Sequence, residues 1–163
     1  QVHQIKWLMV HKHEVPVTES YDISLLELDR SVLCSPSVQL SCLLNATLRV
    51  LELKSCYVSG CAAQGTFVLQ EAKVQLINTQ LWNSRQWHTG RIHIQNLCAG
   101  YLEDGNDTWQ GDTGRPLICK DNDADFFWQV GLTSWGIGCA RAKLPSVYIS
   151  TQSFYRWIQV QMG

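Results

Sequence analysis

What the 163-residue sequence lacks narrows it first. It has no excess charge of either sign: 13 Lys and Arg stand against 14 Asp and Glu, a net charge of -1. Chains that hold nucleic acid or an anionic membrane by bulk charge carry a basic surplus, so neither partner is expected. It has no run of eighteen apolar residues, so no membrane span is expected. Its seven cysteines include no C-x-x-C spacing, which removes the usual zinc signature. No internal repeat, low-complexity linker or domain boundary is visible, and the length suits a single core. The opening residues, "QVHQIKWLMVHKHE", do not have the layout of a signal peptide. They read as a strand from Val2 to Val10, and a true N-terminus upstream of Gln1 is expected.

Seven cysteines in a chain of this size exceed cytosolic usage and place it in an oxidising, secretory compartment, so a secreted protein is expected. The number is odd, so at least one cysteine is unpaired or bonded outside the chain. Between the cysteines run short segments rich in β-branched and aromatic residues, bounded by Gly, Pro, Asn or Asp: "SVQLSCLL", "KSCYVSGC", "GTFVLQEAKVQLI", "IHIQNLCAGY", "RPLICK", "FFWQVGLTSWG" and "PSVYIS". This is an all-β pattern. Two helical signals interrupt it, one around "NTQLWNSRQW" and one at the end, where Phe154, Trp157 and Ile158 fall at i, i+3 and i+4 after Ser150 and Thr151.

The stretch "DTWQGDTGRPLIC", residues 107–119, is built to present one side chain at the centre of a Gly-Asp-x-Gly turn, and that side chain is Thr113. With it, "YDISLLEL", "LCAGYLEDGNDTWQGDTGRPLIC", "GLTSWGIGCA", "LPSVYISTQSFYRWI" and "LQEAKVQLI" occur in the order and spacing of trypsin-like serine proteases of the chymotrypsin fold, which the chain resembles from about Ile5 to Trp157. The interval from Asp22 to Thr113 is close to the roughly ninety residues that separate the family's catalytic aspartate and serine. The resemblance implies an all-β, chymotrypsin-like double β-barrel with an incomplete first barrel and a C-terminal α-helix. Residues of about 1–45 would be the remnant of the first barrel and the interbarrel segment, and about 46–163 the second barrel and helix.

Carried over residue by residue, the resemblance implies a degenerate catalytic set. Asp22 matches the aspartate that orients the catalytic histidine, and Thr113 stands at the nucleophile position, where its extra methyl crowds the attacking oxygen. The histidine belongs about 45 residues before the aspartate and is not in this chain. His3, His11 and His13 lie in another context and read as solvated strand residues; a metal pair of His11 and His13 has no third ligand nearby. The backbone N–H groups of Gly111 and Thr113 match an oxyanion hole, and Asp112 the partner of a newly freed N-terminus. Arg115 replaces a family glycine, either as a solvated surface residue or as a distortion of the turn. Asp107 matches the floor of a pocket for Lys or Arg, Ser134, Trp135 and Gly136 match the strand that pairs with substrate backbone, and Ser146 replaces a glycine lining that pocket and narrows it.

Cys56 and Cys119 match a family disulfide. Cys98 and Cys139 match cysteines whose partner positions, near Trp82 and at Trp109, hold tryptophan. Cys42 matches a cysteine that ties some members to a propeptide, and Cys34 and Cys61 have no counterpart; these five read either as free thiols or alternative pairs, or as intermolecular bonds. Asn45 and Asn106 head N-x-T sequons, Asn45 in the more exposed setting and Asn106 either glycosylated or a plain turn.

Together these readings imply an inactive, secreted serine protease homologue that binds a protein or peptide with exposed Lys or Arg through the old cleft and needs no cofactor or metal. Two alternatives stand beside it: the C-terminal chain of a protease whose histidine is on another polypeptide, and a non-functional truncated product. The strands Val2–Val10 and Ile23–Leu28 are expected to leave open edges and an apolar face of Ile5, Trp7, Leu25 and Leu26, to be covered by an N-terminal segment or a second chain.

Overall fold

A computed structural model describes residues 1–45, 47–61, 69–79, 92–101, 113–135 and 146–163. Nine strands and a helix are found among them. β1 (Ile5–Val10) and β2 (Ser24–Leu28) form a two-stranded antiparallel sheet, and β3 (Cys42–Leu43) is a short piece before the main body. β4 (Ser55–Cys61), β5 (Leu69–Ile77), β6 (Asn96–Tyr101), β7 (Pro116–Lys120), β8 (Phe127–Trp135) and β9 (Ser146–Ser150) follow, then helix α1 (Tyr155–Met162).

The six later strands close on themselves in the order β8-β7-β4-β5-β6-β9, with β9 returning to β8 and every pairing antiparallel. Closure removes the exposed edges that an open sheet would present. The period-two pattern of the sequence explains why these segments form a barrel: Cys56 and Val58 in β4, Ala72 and Val74 in β5, and Leu117 and Cys119 in β7 are buried, while residues between them are not. They meet Leu44, Val50, Leu53, Ala99, Val130 and Tyr148 in one apolar core. Strand β8 changes partner along its length: Trp128 and Gln129 take β3 in parallel, and from Gly131 onward β9 is paired instead.

The expected Cys56–Cys119 disulfide is formed, between residues directly opposite each other on β4 and β7. It links two positions 63 residues apart, which in the chain-entropy account stabilises the fold by about 4 kcal/mol. Cys34 and Cys42 are exposed free thiols and Cys98 a buried one. Cys139, Trp82 and Trp109 lie outside the described residues, as does most of "NTQLWNSRQW".

A second apolar cluster joins the N-terminal sheet to the barrel. Ile23, Ile149, Phe154 and Ile158 are its buried members, and Tyr21, Leu25, Leu43, Leu132 and Trp157 pack against it. The helix residues Phe154, Trp157 and Ile158 therefore do face inward as their spacing predicts. Ser150 and Thr151, however, do not cap α1. β9 runs through Ser150, and the Thr151 hydroxyl donates to the Gln129 carbonyl of β8 at 2.6 Å, leaving Phe154 at the helix start without a side-chain cap.

The N-terminal sheet differs from its expected form in detail. β1 begins at Ile5 rather than Val2, and Ile5 and Trp7 are 60% and 63% exposed, as are Leu8, Val10 and Leu26 by similar fractions. Leu25, expected on that uncovered face, is instead packed into the joint with the barrel, because it stands opposite Met9 on the face turned inward. "SVQLSCLL" contributes only the two residues of β3.

Candidate functional site

Asp22, Ser134 and Thr113 converge where the N-terminal sheet meets the barrel. Asp22 lies two residues before β2, in a turn with unusual backbone: Glu19 and Tyr21 both have positive φ, 54° and 55°. For residues with a Cβ the left-handed region costs about 1–2 kcal/mol each, so the turn must be held by its surroundings. Two contacts hold it. Ser20 pairs with Val15 across the loop, and the ring of His93 reaches over from the barrel, its Nε2 3.0 Å from both the Ser20 hydroxyl and the Thr18 carbonyl. A carbonyl only accepts, so Nε2 carries the proton. The imidazole thus clamps the loop to the segment before β6.

The second contact is an aromatic nest around His11. The His11 ring is 9% exposed and stacks on Tyr21, with centroids 5.0 Å apart and planes 10° from parallel. Phe154 and Trp157 meet it edge-on at 5.3 and 5.0 Å. His11 is therefore not a solvated strand residue; it lies just beyond β1 and is enclosed by side chains from three parts of the chain. Burial first, then the neighbouring charges of His13 and Lys12, pull its pKa below the ordinary histidine value. His13, by contrast, stays exposed in the turn, and His3 lies before β1.

Within this frame the Ser134 hydroxyl donates to Asp22 Oδ2 at 2.5 Å, linking residues 112 apart in the sequence. Ser134 lies near the end of β8 and is buried. Thr113 is exposed, and its hydroxyl reaches the Ser134 carbonyl at 3.4 Å. The turn that carries it is zipped onto β8: Gly114 N–H donates to the Thr133 carbonyl at 2.7 Å, and Thr133 N–H to the Arg115 carbonyl at 2.8 Å. Gly114 adopts φ +87°, which a residue with a Cβ rarely adopts. The arrangement brings a carboxylate, a buried hydroxyl and an exposed hydroxyl together. The Thr113 proton is shared with a peptide carbonyl, which cannot take it up as a base.

Arg115 is not fully solvated. It is partly buried, and its guanidinium lies across the backbone of Gly60: a Cβ built on Gly60 would fall 2.0 Å from Arg115 Cζ. A bare glycine on β4 makes room for the long Arg115 side chain.

The other residues that the resemblance matches to a substrate cleft divide between the described and undescribed parts. Trp135 packs beside the small cluster of Ile92, Cys98 and Val147, and Ser146 opens β9 opposite Ala99. Asp107, Gly111, Asp112, Gly136 and Asn106 lie outside the described residues. Asn45 is exposed, and its Oδ1 accepts from both the N–H and hydroxyl of Thr47, at 3.1 and 2.7 Å. Among the described residues no group of three or more His, Cys, Asp or Glu is arranged to hold a metal ion, and no helix is long and apolar enough to cross a membrane.

Three contacts at the joint that holds Asp22 and Thr113 are not foretold by the sequence. Ser134 was expected only to pair with substrate, and His11 and His93 were given no part in the site. Nothing in local spacing could reveal these contacts, because each spans a large sequence interval; only the aromatic content around "YDI" and "FYRW" hints at the His11 nest. A family model described as Trypsin matches residues 1–158, and with the closed six-stranded barrel and the Asp22–Ser134–Thr113 set already in place, the chain belongs to the trypsin family.

Proposed function

We propose that this trypsin-family chain is a secreted binding module that no longer cleaves peptide bonds and that engages exposed Lys or Arg side chains of a protein or peptide in its former substrate cleft. The observation that carries the reading is the state of the site: threonine stands at the nucleophile position, and its hydroxyl is directed at the Ser134 carbonyl, 3.4 Å away, rather than at a base. A triad that has lost a member retains roughly 10³- to 10⁴-fold over water from binding groups alone. Asp107 supplies the charge for a basic side chain, and Ser146 narrows the slot. The disulfide and the exposed Asn45 sequon support passage through the secretory pathway and glycosylation at Asn45.

The test uses labelled peptides that differ only in Arg against norleucine at one position, measured for binding and for cleavage. Selective binding of the Arg peptide, lost in Asp107→Ala and tightened in Ser146→Gly, is expected. Turnover of the peptide, or labelling of Thr113 by an active-site phosphonate, overturns the reading. Thr113→Ser alone should not restore hydrolysis, since the Ser134 carbonyl that the hydroxyl meets cannot take up its proton.

The reading includes an extended polypeptide segment that adds strands to the β1–β2 sheet and completes the first barrel. The exposure of Ile5, Trp7, Leu8, Val10 and Leu26 supports it. The same exposure favours the alternative, in which that segment brings a histidine from another polypeptide to Asp22; hydrolysis appearing only in the complex would decide for it. If the chain is a monodisperse monomer with slow hydrogen exchange along both β1 and β2, no such segment is required.

A further inference from the structure

The Tyr21 carbonyl accepts the Ile23 N–H at 2.8 Å, which closes a three-residue turn with Asp22 at its centre. The direction of the Asp22 carboxylate is therefore fixed by the Tyr21 backbone, and that backbone is left-handed, at φ 55°. A tyrosine does not rest there unaided. The surface it rests against is the His11 ring, stacked upon it and backed by Trp157, with Phe154 and the His13 ring meeting Tyr21 edge-on at 5.9 and 5.7 Å. The ring is itself oriented, because His11 Nδ1 accepts the His13 backbone N–H at 3.3 Å, while the His11 backbone N–H donates to the Ile23 carbonyl at 3.1 Å and ties the loop to the residue before β2.

We propose that His11 is the positioning residue of Asp22: its neutral ring, stacked on Tyr21, holds the turn that aims the carboxylate at Ser134, and protonation of the ring releases that turn. The proposal does not depend on whether the cleft binds a ligand. A protonated imidazole donates from both nitrogens, so Nδ1–H would face the His13 N–H, donor against donor. Attraction of the cation to the Tyr21 face on which it is stacked offsets part of that loss, but the ring must still turn its Nδ1–H away from the His13 N–H, which changes the stack.

The groups around the ring set the direction of its titration. Lys12, His13 and Glu14 follow it in its own loop, Tyr21 faces it from the turn while the Asp22 carboxylate points to Ser134, Ile23 presents a carbonyl just before β2, and Arg156 stands between the neutral Phe154 and Trp157 at the start of α1. Burial, His13 and Lys12 favour the neutral ring. A group whose pKa is lowered on folding contributes stability that is complete above its unfolded value, near 6.5, and is lost as pH falls through the folded value. Acid should thus loosen the Asp22 turn.

The test is an NMR titration of the labelled full chain from about pH 7.5 to 5, which spans the histidine range. The expected result is a His11 midpoint below about 6.5, with the amide signals of Asp22, Ile23 and Ser134 moving at the same midpoint while those of Val74 and Leu117 in the barrel stay still. In His11→Phe, which keeps an aromatic ring and cannot charge, the movement should disappear. In His11→Ala the Asp22 and Ser134 signals should sit at neutral pH where the unmodified chain reaches them in acid. His13→Gln should leave the transition in place. If Asp22 and Ser134 do not respond as His11 titrates, or if the transition survives in His11→Phe, the proposal is wrong; should His11→Ala fail to fold, these two results still decide.

Discussion

Of residues 1–43 only His11 and Ile23 are buried, whereas the barrel that follows encloses a core of twelve residues and closes every strand of its sheet on a neighbour. Both regions are made of the same kind of segment, short and rich in branched and aromatic residues. They differ in whether the face each strand presents has something to cover it. β7 buries Leu117 and Cys119 inside a closed ring, while β1 offers Trp7 and Leu8 to solvent from a sheet of two strands. A two-stranded sheet is marginal on its own. The N-terminal sheet keeps its place because Ile23, Leu25 and Tyr21 share a cluster with the barrel and helix, and the candidate site lies at that joint.

The comparison can be broken from either side. The largest effect should come from the barrel's covalent tie: replacing Cys56 and Cys119 together by serine removes about 4 kcal/mol of stability, readable as a fall in the denaturation midpoint of the entire chain. A change limited to the N-terminal strands would show that the barrel does not depend on its disulfide. Next, Phe154→Ala empties a buried site in the joint, at a cost of about 3 kcal/mol. Hydrogen exchange should then quicken in β1 and β2 and around Asp22 and leave β4 and β7 protected. Uniform acceleration would mean that the two regions unfold as one.

The thiols sharpen the contrast. Burial pushes the Cys98 thiol up to about 11, and the side chain is enclosed, while Cys34 and Cys42 are exposed. At pH 7.5 alkylation of Cys34 and Cys42 should outrun that of Cys98 by more than about a hundred-fold, equivalent to about 2.7 kcal/mol. Mass spectrometry of timed samples checks it; equal rates would mean that the barrel opens near β6. The smallest effect belongs to Gly60→Ala. The added methyl displaces the Arg115 guanidinium, which is the far end of a flexible side chain, so the loss should be about 1 kcal/mol. Arg115→Gly should restore it. Additive losses in the double variant would show that the two positions do not act on each other.

Much of the barrel was legible because each strand carries its own period-two record of what is inside, as in Cys56 and Val58 or Ala72 and Val74. The helix was legible in Phe154, Trp157 and Ile158 for the same reason at a different period. The resemblance carried the Cys56–Cys119 bond and directed attention to Asp22 and Thr113. What stayed hidden depends on distant partners. Leu25 looks as exposed as Leu26 until β9 and α1 are placed beside it, Ser134 looks like one more polar residue at a strand end until Asp22 is brought to it, and Arg115 looks misplaced until Gly60 is opposite. His11 was misread because a polar residue near a strand end is usually wet, and only the arrival of Phe154 and Trp157 makes it dry.

The joint also dictates an order of events during folding. Its buried members are Ile23, ahead of every barrel strand, and Ile149, Phe154 and Ile158, at or beyond the last of them. Closing so long a loop is entropically costly while the chain between is loose, and becomes cheaper once the barrel has drawn β9 and α1 into position. The N-terminal strands are therefore synthesised first and docked last, and until then β1 and β2 lie open as adhesive edges. In a refolding time course, protection of β4 and β7 amides should precede the quenching or shift of Trp157 fluorescence, and a holding chaperone should bind most tightly in the interval between the two.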